Sequence, residues 1–462
     1  MVSSGALCLL MFLCLCGLLL AGFPVAFTLS GTALGFALIG SLLGAFDLSF
    51  LVAFPQRIFQ TMANETLVAV PLFVFTGVML ERSKIAEELL DSMGRLFGPL
   101  PGGLAIGVCI VGALLAATTG IVGATVVTMG LLSLPTMLRR GYDRRLACGT
   151  IAASGTLGQI IPPSIILVIL GDQLSIAYQN AQFAQGVFAP ETVTVNDLFA
   201  GALIPGLVLV GLYIVFIIAL TGLRPHLAPA MPSAERAAGV WREVTRSLVA
   251  PLFLIVAVLG SILAGLATPT EAASVGAVGA VMLAAYRPSG SQGDGSRSGE
   301  PSDPGARLVL LGAACLMGLL ALAWTFDLRA QRRTVSSGEW TAIGAAFLLA
   351  LGLAAGVAAA FARVFRARTP EGERVLAAVA RSTMSLSAVM FTIVIGASLF
   401  ALVFRGFGGD RAIEEILRAL PGGTAGAVAL VMLAMFVMAF FVDFIEIMFI
   451  VVPVTAPALL QM

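Results

Sequence analysis

Three short groups of residues stand out in this chain because their types and spacing could do chemistry inside otherwise apolar runs. The first is Thr118-Thr119-Gly120-Ile121-Val122-Gly123-Ala124-Thr125, which falls within a stretch, Leu96 to Leu138, that carries no charge. The second is Ser154-Gly155-Thr156-Leu157-Gly158-Gln159-Ile160-Ile161-Pro162-Pro163-Ser164. The third is Asp443 with Glu446, the only charges between residues 424 and 461. Hydroxyls and freed backbone carbonyls can hold an ion, and glycines let a backbone come close to a ligand. A carboxylate deep in a membrane is costly and by default functional, through cation coordination, proton carriage or pairing with an arginine. On a helix Asp443 and Glu446 would share a face, and no arginine lies in the same run to pair with them.

These groups need elements that can hold them at membrane depth. Two adjacent prolines remove two backbone donors, so a helix from Leu146 to Gly171 must break near Ile161. Broken backbone in lipid survives only inside protein or beside a water-filled cavity, where carbonyls and half-helix ends can bind solutes. The half-helix starting near Ser164 would offer unpaired N–H donors and a positive dipole end suited to an anion. The uncharged run Leu96 to Leu138 is too long for one span and cramped for two, which points to a re-entrant hairpin with its tip at Thr118 to Thr125. Residues 424–461 read as a second hairpin. Asp443 precedes Pro453 by the same ten residues that separate Thr125 from Pro135, which suggests related halves in inverted orientation.

Composition sets the class. With 59% hydrophobic and 11% charged residues and a mean hydropathy of +1.03, the chain reads as an all-α polytopic membrane protein. Its net charge of +1 comes from scattered arginines that form no basic face, which argues against nucleic acid. Lys84 is the only lysine and follows Ser83, so there is no phosphate-binding loop for ATP hydrolysis. The six cysteines show no Cys-x-x-Cys spacing and read as small buried side chains, and His226 stands alone in a loop.

The opening run Ala6 to Leu20 and the apolar run after it read as two helices joined by a tight turn at Gly22-Phe23-Pro24, followed by a span at Thr66 to Leu80. Glu81 to Arg95 has the spacing of an amphipathic surface helix with Ile85, Leu89, Leu90 and Met93 on one side. The basic loop 139–145 should be cytoplasmic, and the loop Asp172 to Asp197, without lysine or arginine, periplasmic. Thr268-Pro269-Thr270-Glu271 has the form of a capping box. Residues 287–307 read as a flexible linker before two extra spans at about 308–326 and 340–361. The organisation expected is scaffold helices in 1–103, the first hairpin and broken helix in 104–171, connecting helices in 172–286, the linker and extra spans in 287–373, and the second repeat in 374–462.

Taken together, Asn64 to Phe73, Gly141-Tyr142, Ser154 to Ser164, Thr268 to Ala273 and Asp443 to Pro453 resemble the large membrane subunit of the tripartite ATP-independent periplasmic (TRAP) transporters. The resemblance covers nearly all of the chain outside 287–373. It implies an elevator-type secondary transporter, a symporter in the bacterial inner membrane that is usually sodium-driven. It also implies a small organic acid such as a dicarboxylate as substrate, a soluble periplasmic binding protein that delivers it, and a small four-helix membrane subunit as a separate chain. No cofactor is implied beyond sodium as coupling ion. Carried onto this sequence, it places substrate and ion contacts at Thr119, Gly120, Thr125, Ser154, Thr156, Gly158, Pro162, Pro163, Ser164, Asp443 and Glu446, with sodium coordination at Thr119, Thr156 and Asp443. Three departures accompany it, one being the pair of spans within 287–373, which exceeds the compact family pattern and resembles its longer members. Ile121 and Val122 replace small polar residues at the first tip, and the sequence ends at Met462, before a final broken helix of the family's pattern, so it reads as a fragment or truncated copy. A stand-alone carrier of similar architecture and a truncated, non-transporting subunit are the alternatives. An integral membrane enzyme would want clustered interfacial acids or a histidine site, and the loops supply neither.

Overall fold

The computed structural model describes residues 4–83, 85–119, 122–230, 240–286, 304–326, 337–368, 372–440, 442 and 444–462. Among them the fold is all-α, and the only β pairing is one bridge between Arg368 and Arg374. In chain order the helices are α1 (Ser4–Leu20), α2 (Val25–Leu42), α3 (Phe54–Met62), α4 (Glu65–Arg82), α5 (Ile85–Phe97) and α6 (Gly103–Thr119). There follow α7 (Val122–Arg139), α8 (Arg144–Thr156), α9 (Ile165–Ala184), α10 (Val195–Leu223), α11 (Val240–Leu263) and α12 (Pro269–Tyr286). The last six are α13 (Pro304–Thr325), α14 (Ser337–Arg366), α15 (Val375–Gly406), α16 (Gly409–Arg418), α17 (Gly423–Met438) and α18 (Phe444–Gln461).

Among the described residues, five helices are long and apolar enough to cross a membrane: α2, α10, and the greater part or whole of α13, α14 and α15. The count reaches seven if two bent pairs, Leu48–Met62 with α4 and α16 with α17, each make one span. Along α10, Leu207, Val208, Leu212, Val215 and Phe216 stay exposed, as lipid-facing side chains do. The chain is a multi-pass membrane protein.

The chain divides into two compact units. The first comprises Met1–Pro71, Ile165–Ile204 and Met384–Met462. In it α1 pairs with α2 across a turn in which Gly22 takes φ 84°, and α9 packs along α18. Gly396 of α15 lets α2 come close, since a Cβ there would stand 2.7 Å from the Ala26 carbonyl oxygen. Leu417, Ala427, Val431, Ile447, Val451 and Ala458 form a core between α16, α17 and α18.

The second unit comprises Leu72–Ser164 and Pro205–Thr383. Here α6, α7 and α8 pack together, α5 lies on α6 and α11, and α12 contacts α13 and α14. The extra pair α13 and α14 is held close by glycines: a Cβ at Gly356 would stand 2.6 Å from the Cα of Gly312. Arg363 of α14 donates from Nε to the Ala285 carbonyl at 3.0 Å, capping the end of α12 with a positive charge.

The structure corrects three expectations. Residues 172–184 are not loop, because α9 runs on to Ala184 with Val168, Ile169, Ala177 and Ala181 buried at helical spacing. Glu81 and Arg82 belong to the end of α4, so the amphipathic helix starts only at Ile85, with Leu89, Leu90 and Met93 buried as expected. Cys8 and Cys109 are buried, but Cys14 and Cys148 are exposed. The linker from 287 to 303 lies outside the described residues.

Candidate functional site

The first hairpin is built from α6 and α7, which pack on each other and are interrupted at residues 120–121. Its open end is tied by the basic loop. Gly141 takes φ 79° and donates to the Leu138 carbonyl, while Tyr142 N–H donates to the Met137 carbonyl at 3.1 Å, closing α7 with a Schellman motif. The buried Tyr142 hydroxyl then accepts from the Leu104 N–H at 3.2 Å, giving the first turn of α6 a partner it would otherwise lack. The next residue, Asp143, caps α8 by accepting from Arg145 and Leu146 N–H, and its own N–H donates to the Leu227 carbonyl at 2.8 Å.

From that cap α8 runs between the two arms of the hairpin. Gly112 of α6 faces Ser154, where a Cβ would stand 2.8 Å from the serine Cβ. Gly155 faces Val126 of α7, where a Cβ would stand 2.3 Å from Cγ2. The helix ends at Thr156, tightens into a 3-10 turn over Leu157–Gln159, and reaches the cis bond between Pro162 and Pro163. Leu157 and Ile161 are buried with Ile255, and Leu209, Val210 and Tyr213 of α10 pack against them. The interruption therefore sits in protein, as broken backbone in a membrane must.

Each hydroxyl at the break donates to a backbone carbonyl. Ser154 donates to Ile151 at 3.1 Å, Thr156 to Ala153 at 2.8 Å and Ser164 to Gln159 at 2.7 Å. A hydroxyl that has placed its one proton keeps only acceptor lone pairs for a ligand. Ser154 and Ser164 are fully buried, whereas Thr156 is exposed. Gly158, Pro162 and Pro163 are buried, and so is Thr125 on α7. Thr119 is the last residue of α6, with its side chain outside the described set, and Gly120 lies outside it entirely.

The second hairpin pairs α17 with α18 in the first unit, and α9, the second half of the broken helix, lies along α18. Asp443 lies outside the described residues. Glu446 falls in the first turn of α18 with its side chain outside the described set. Among the described residues, then, Thr125, Ser154, Thr156, Gly158 and the proline pair come together around the first hairpin.

Two polar contacts escaped the sequence reading. The Thr128 hydroxyl on α7 donates to Glu81 of α4 at 2.6 Å. Asn64 caps α4 by accepting from Thr66 N–H and donates from Nδ2 to Asp172 of α9 at 2.7 Å. The signal was present for Asp172, since it is a lone acid in an apolar helix, the same property that drew attention to Asp443.

Residues 12–298 and 296–462 match the family model described as tripartite ATP-independent periplasmic transporter, DctM component. The chain is 34% identical over 231 residues to a C4-dicarboxylate TRAP transporter large permease of Pseudomonas aeruginosa, covering 50% of this chain and 49% of that protein. A Vibrio cholerae permease of the same description is 32% identical over 281 residues, 60% of this chain and 55% of its own length. An ectoine TRAP transporter large permease of Halomonas elongata is 28% identical over 271 residues, 58% and 57% of the two chains. The alignments thus span about half the length of these relatives. With every residue from 12 to 462 under the family model, the chain belongs to the DctM component family of the tripartite ATP-independent periplasmic transporters.

Proposed function

We propose that this chain acts as the large membrane subunit of a secondary transporter that brings a small organic acid across the bacterial inner membrane, driven by a sodium gradient. A periplasmic binding protein delivers the solute, and a small four-helix membrane subunit completes the complex. The observation that carries this reading is the hydrogen bonding at the helix break. Ser154, Thr156 and Ser164 all donate to carbonyls, so their oxygens suit a cation and not an anion. Thr156 is the exposed one, and the hairpin tip that begins after Thr119 supplies the remaining oxygens, with Asp443 in the same role at the second tip.

The carboxylate then finds its place by electrostatics. A bound cation offsets the cost of bringing a negative charge out of water. The first turn of α9, just after Ser164, carries N–H groups without helical partners and the positive end of the helix dipole. Binding of the cation orders the tip, and the loaded hairpins and broken helix move as an elevator-type body. The relatives named above are assigned C4-dicarboxylate and ectoine, and here the class proposed is a small carboxylate.

The test is uptake into proteoliposomes that contain the chain with its small subunit and binding protein, with and without an inward sodium gradient. Sodium-dependent uptake is expected to fall strongly in Thr156→Ala and in Asp443→Asn. Unchanged uptake in both variants overturns the site, and uptake that needs no binding protein overturns the tripartite reading.

A further inference from the structure

The first unit contains a cleft of about 300 Å³ that shares no residue with the hydroxyls of the helix break. One wall is apolar, made by Phe449, Pro453 and Pro457 of α18. Facing it are two cations on different elements, Arg57 of α3 and Arg405 at the end of α15. Arg405 Nε lies 3.2 Å from Asp410 Oδ2, while Arg57 forms no ion pair among the described residues. The two guanidiniums are close enough to repel, and both are half-buried. One carboxylate thus serves two cations.

Asp172 also lines the cleft but does not restore the balance. Its carboxylate accepts from Asn64 Nδ2 at 2.7 Å and from Gln173 Nε2 at 3.3 Å, and no arginine is among its partners. Holding two like charges together out of bulk water is unfavourable unless an anion joins them. A guanidinium presents its donors as a planar fork that matches a carboxylate or phosphate, so two of them can grip one acid group from two sides. Arg57 lies on the short amphipathic α3, and Arg405 sits in the last turn of α15, just before the amphipathic α16 with its five charges in ten residues.

We propose that this cleft is a second binding site, one that takes a small carboxylate through Arg57 and Arg405. Its size sits at the lower limit of ordinary ligand pockets, about 300 Å³, which suits a free solute better than a bulkier molecule. A lipid headgroup phosphate would present the same acid oxygens, and the experiment separates the two sources.

The full chain, purified in detergent and freed of lipid, is titrated calorimetrically at fixed ionic strength and without sodium, with succinate in one series and glycerol 3-phosphate in the other. Succinate is expected to bind, and Arg57→Gln and Arg405→Gln are each expected to weaken it about tenfold or more, the value of a lost charge-assisted hydrogen bond. Arg57→Lys, which keeps the charge and loses the fork, regains part of the loss. Arg381→Gln removes an exposed cation paired with Glu373 and leaves the affinity within about twofold, a control for net charge alone. Each variant is first checked for a single symmetric elution peak. Arginine-dependent binding of glycerol 3-phosphate without binding of succinate keeps the anion site and overturns the solute. Failure of both anions to bind, or binding indifferent to both arginines, overturns the site. Because sodium and a gradient are absent, the result stands whatever the transport assay shows.

Discussion

Gly155→Ala is the most direct test of how the first hairpin holds the broken helix. The added methyl would stand 2.3 Å from Val126 Cγ2, far inside ordinary contact, and 3.3 Å from its Cβ and 3.2 Å from its Cα, both tighter than usual. Valine on a helix has essentially one χ1 rotamer, so Cγ2 has nowhere to turn, and the backbone of α7 must move instead. Overpacking of this kind costs about 1–3 kcal/mol. Alanine returns about 0.5–1 kcal/mol by favouring the helix over glycine. The net expected loss is about 0.5–2 kcal/mol, seen as a lower thermal transition in detergent, with a matching loss of uptake if the packed hairpin is what transports. Val126→Ala removes Cγ2, so the double variant Gly155→Ala with Val126→Ala should recover most of the loss that Gly155→Ala alone shows beyond the sum of effects. If Gly155→Ala is as stable as the parent, or if Val126→Ala brings no recovery, α8 does not lie against α7 at this point and the clasp is wrong.

Tyr142→Phe removes the acceptor of the buried Leu104 N–H and should cost about 1–3 kcal/mol by thermal unfolding; a neutral result would mean that water already serves that group. Burial places the Asp410 carboxyl above the usual carboxylate range, against the pull of Arg405 and Arg57. The Cys8 thiol of α1 also faces it, with Arg411 and Glu414 as neighbours on its own helix. Acidification through that raised value adds a proton to Asp410 and frees Arg405, so the cleft should bind methanesulfonate, which stays ionised, more tightly at acid than at neutral pH. Asp410→Asn should bind it tightly at both, and a wild-type affinity independent of pH would refute the coupling. Pro71→Ala and Pro205→Ala should slow uptake while leaving equilibrium substrate affinity within about twofold; unchanged turnover would show that bending at those prolines plays no part.

The elements legible in the sequence are those whose cause is local. The run without charge from Leu96 to Leu138 imposes a hairpin because one span is too short to use it, and the Pro162-Pro163 pair imposes a break. The reciprocal cap was equally readable: Glu271 accepts from Thr268 N–H at 2.8 Å, and its own N–H donates to the threonine hydroxyl at 3.3 Å. What could not be read depends on partners far along the chain. Asp172, Gln173, Ser175 and Gln179 look like loop when counted alone, yet α9 continues through them because its opposite face packs along α18. Tyr142 signalled only a family pattern, and its role as the acceptor for Leu104 appears once the hairpin returns to its starting point. Arg57 and Arg405 lie 348 positions apart (405 − 57), and no periodicity links them.

The boundaries between the two units follow a physical rule that composition alone would not suggest. Four crossings divide the chain, after Pro71, Ser164, Ile204 and Thr383. Three of them fall at or beside proline: Pro71 inside α4, Pro163 just before Ser164, and Pro205 inside α10. A helical proline deletes one ladder hydrogen bond and crowds the preceding turn, so a helix bends there at less cost than elsewhere. The fourth crossing, in α15, has no proline, but the Thr383 and Ser387 hydroxyls beside it are buried with no hydrogen-bond partner among the described residues. Unsatisfied groups of that kind weaken the packing that would otherwise fix a helix in one shape.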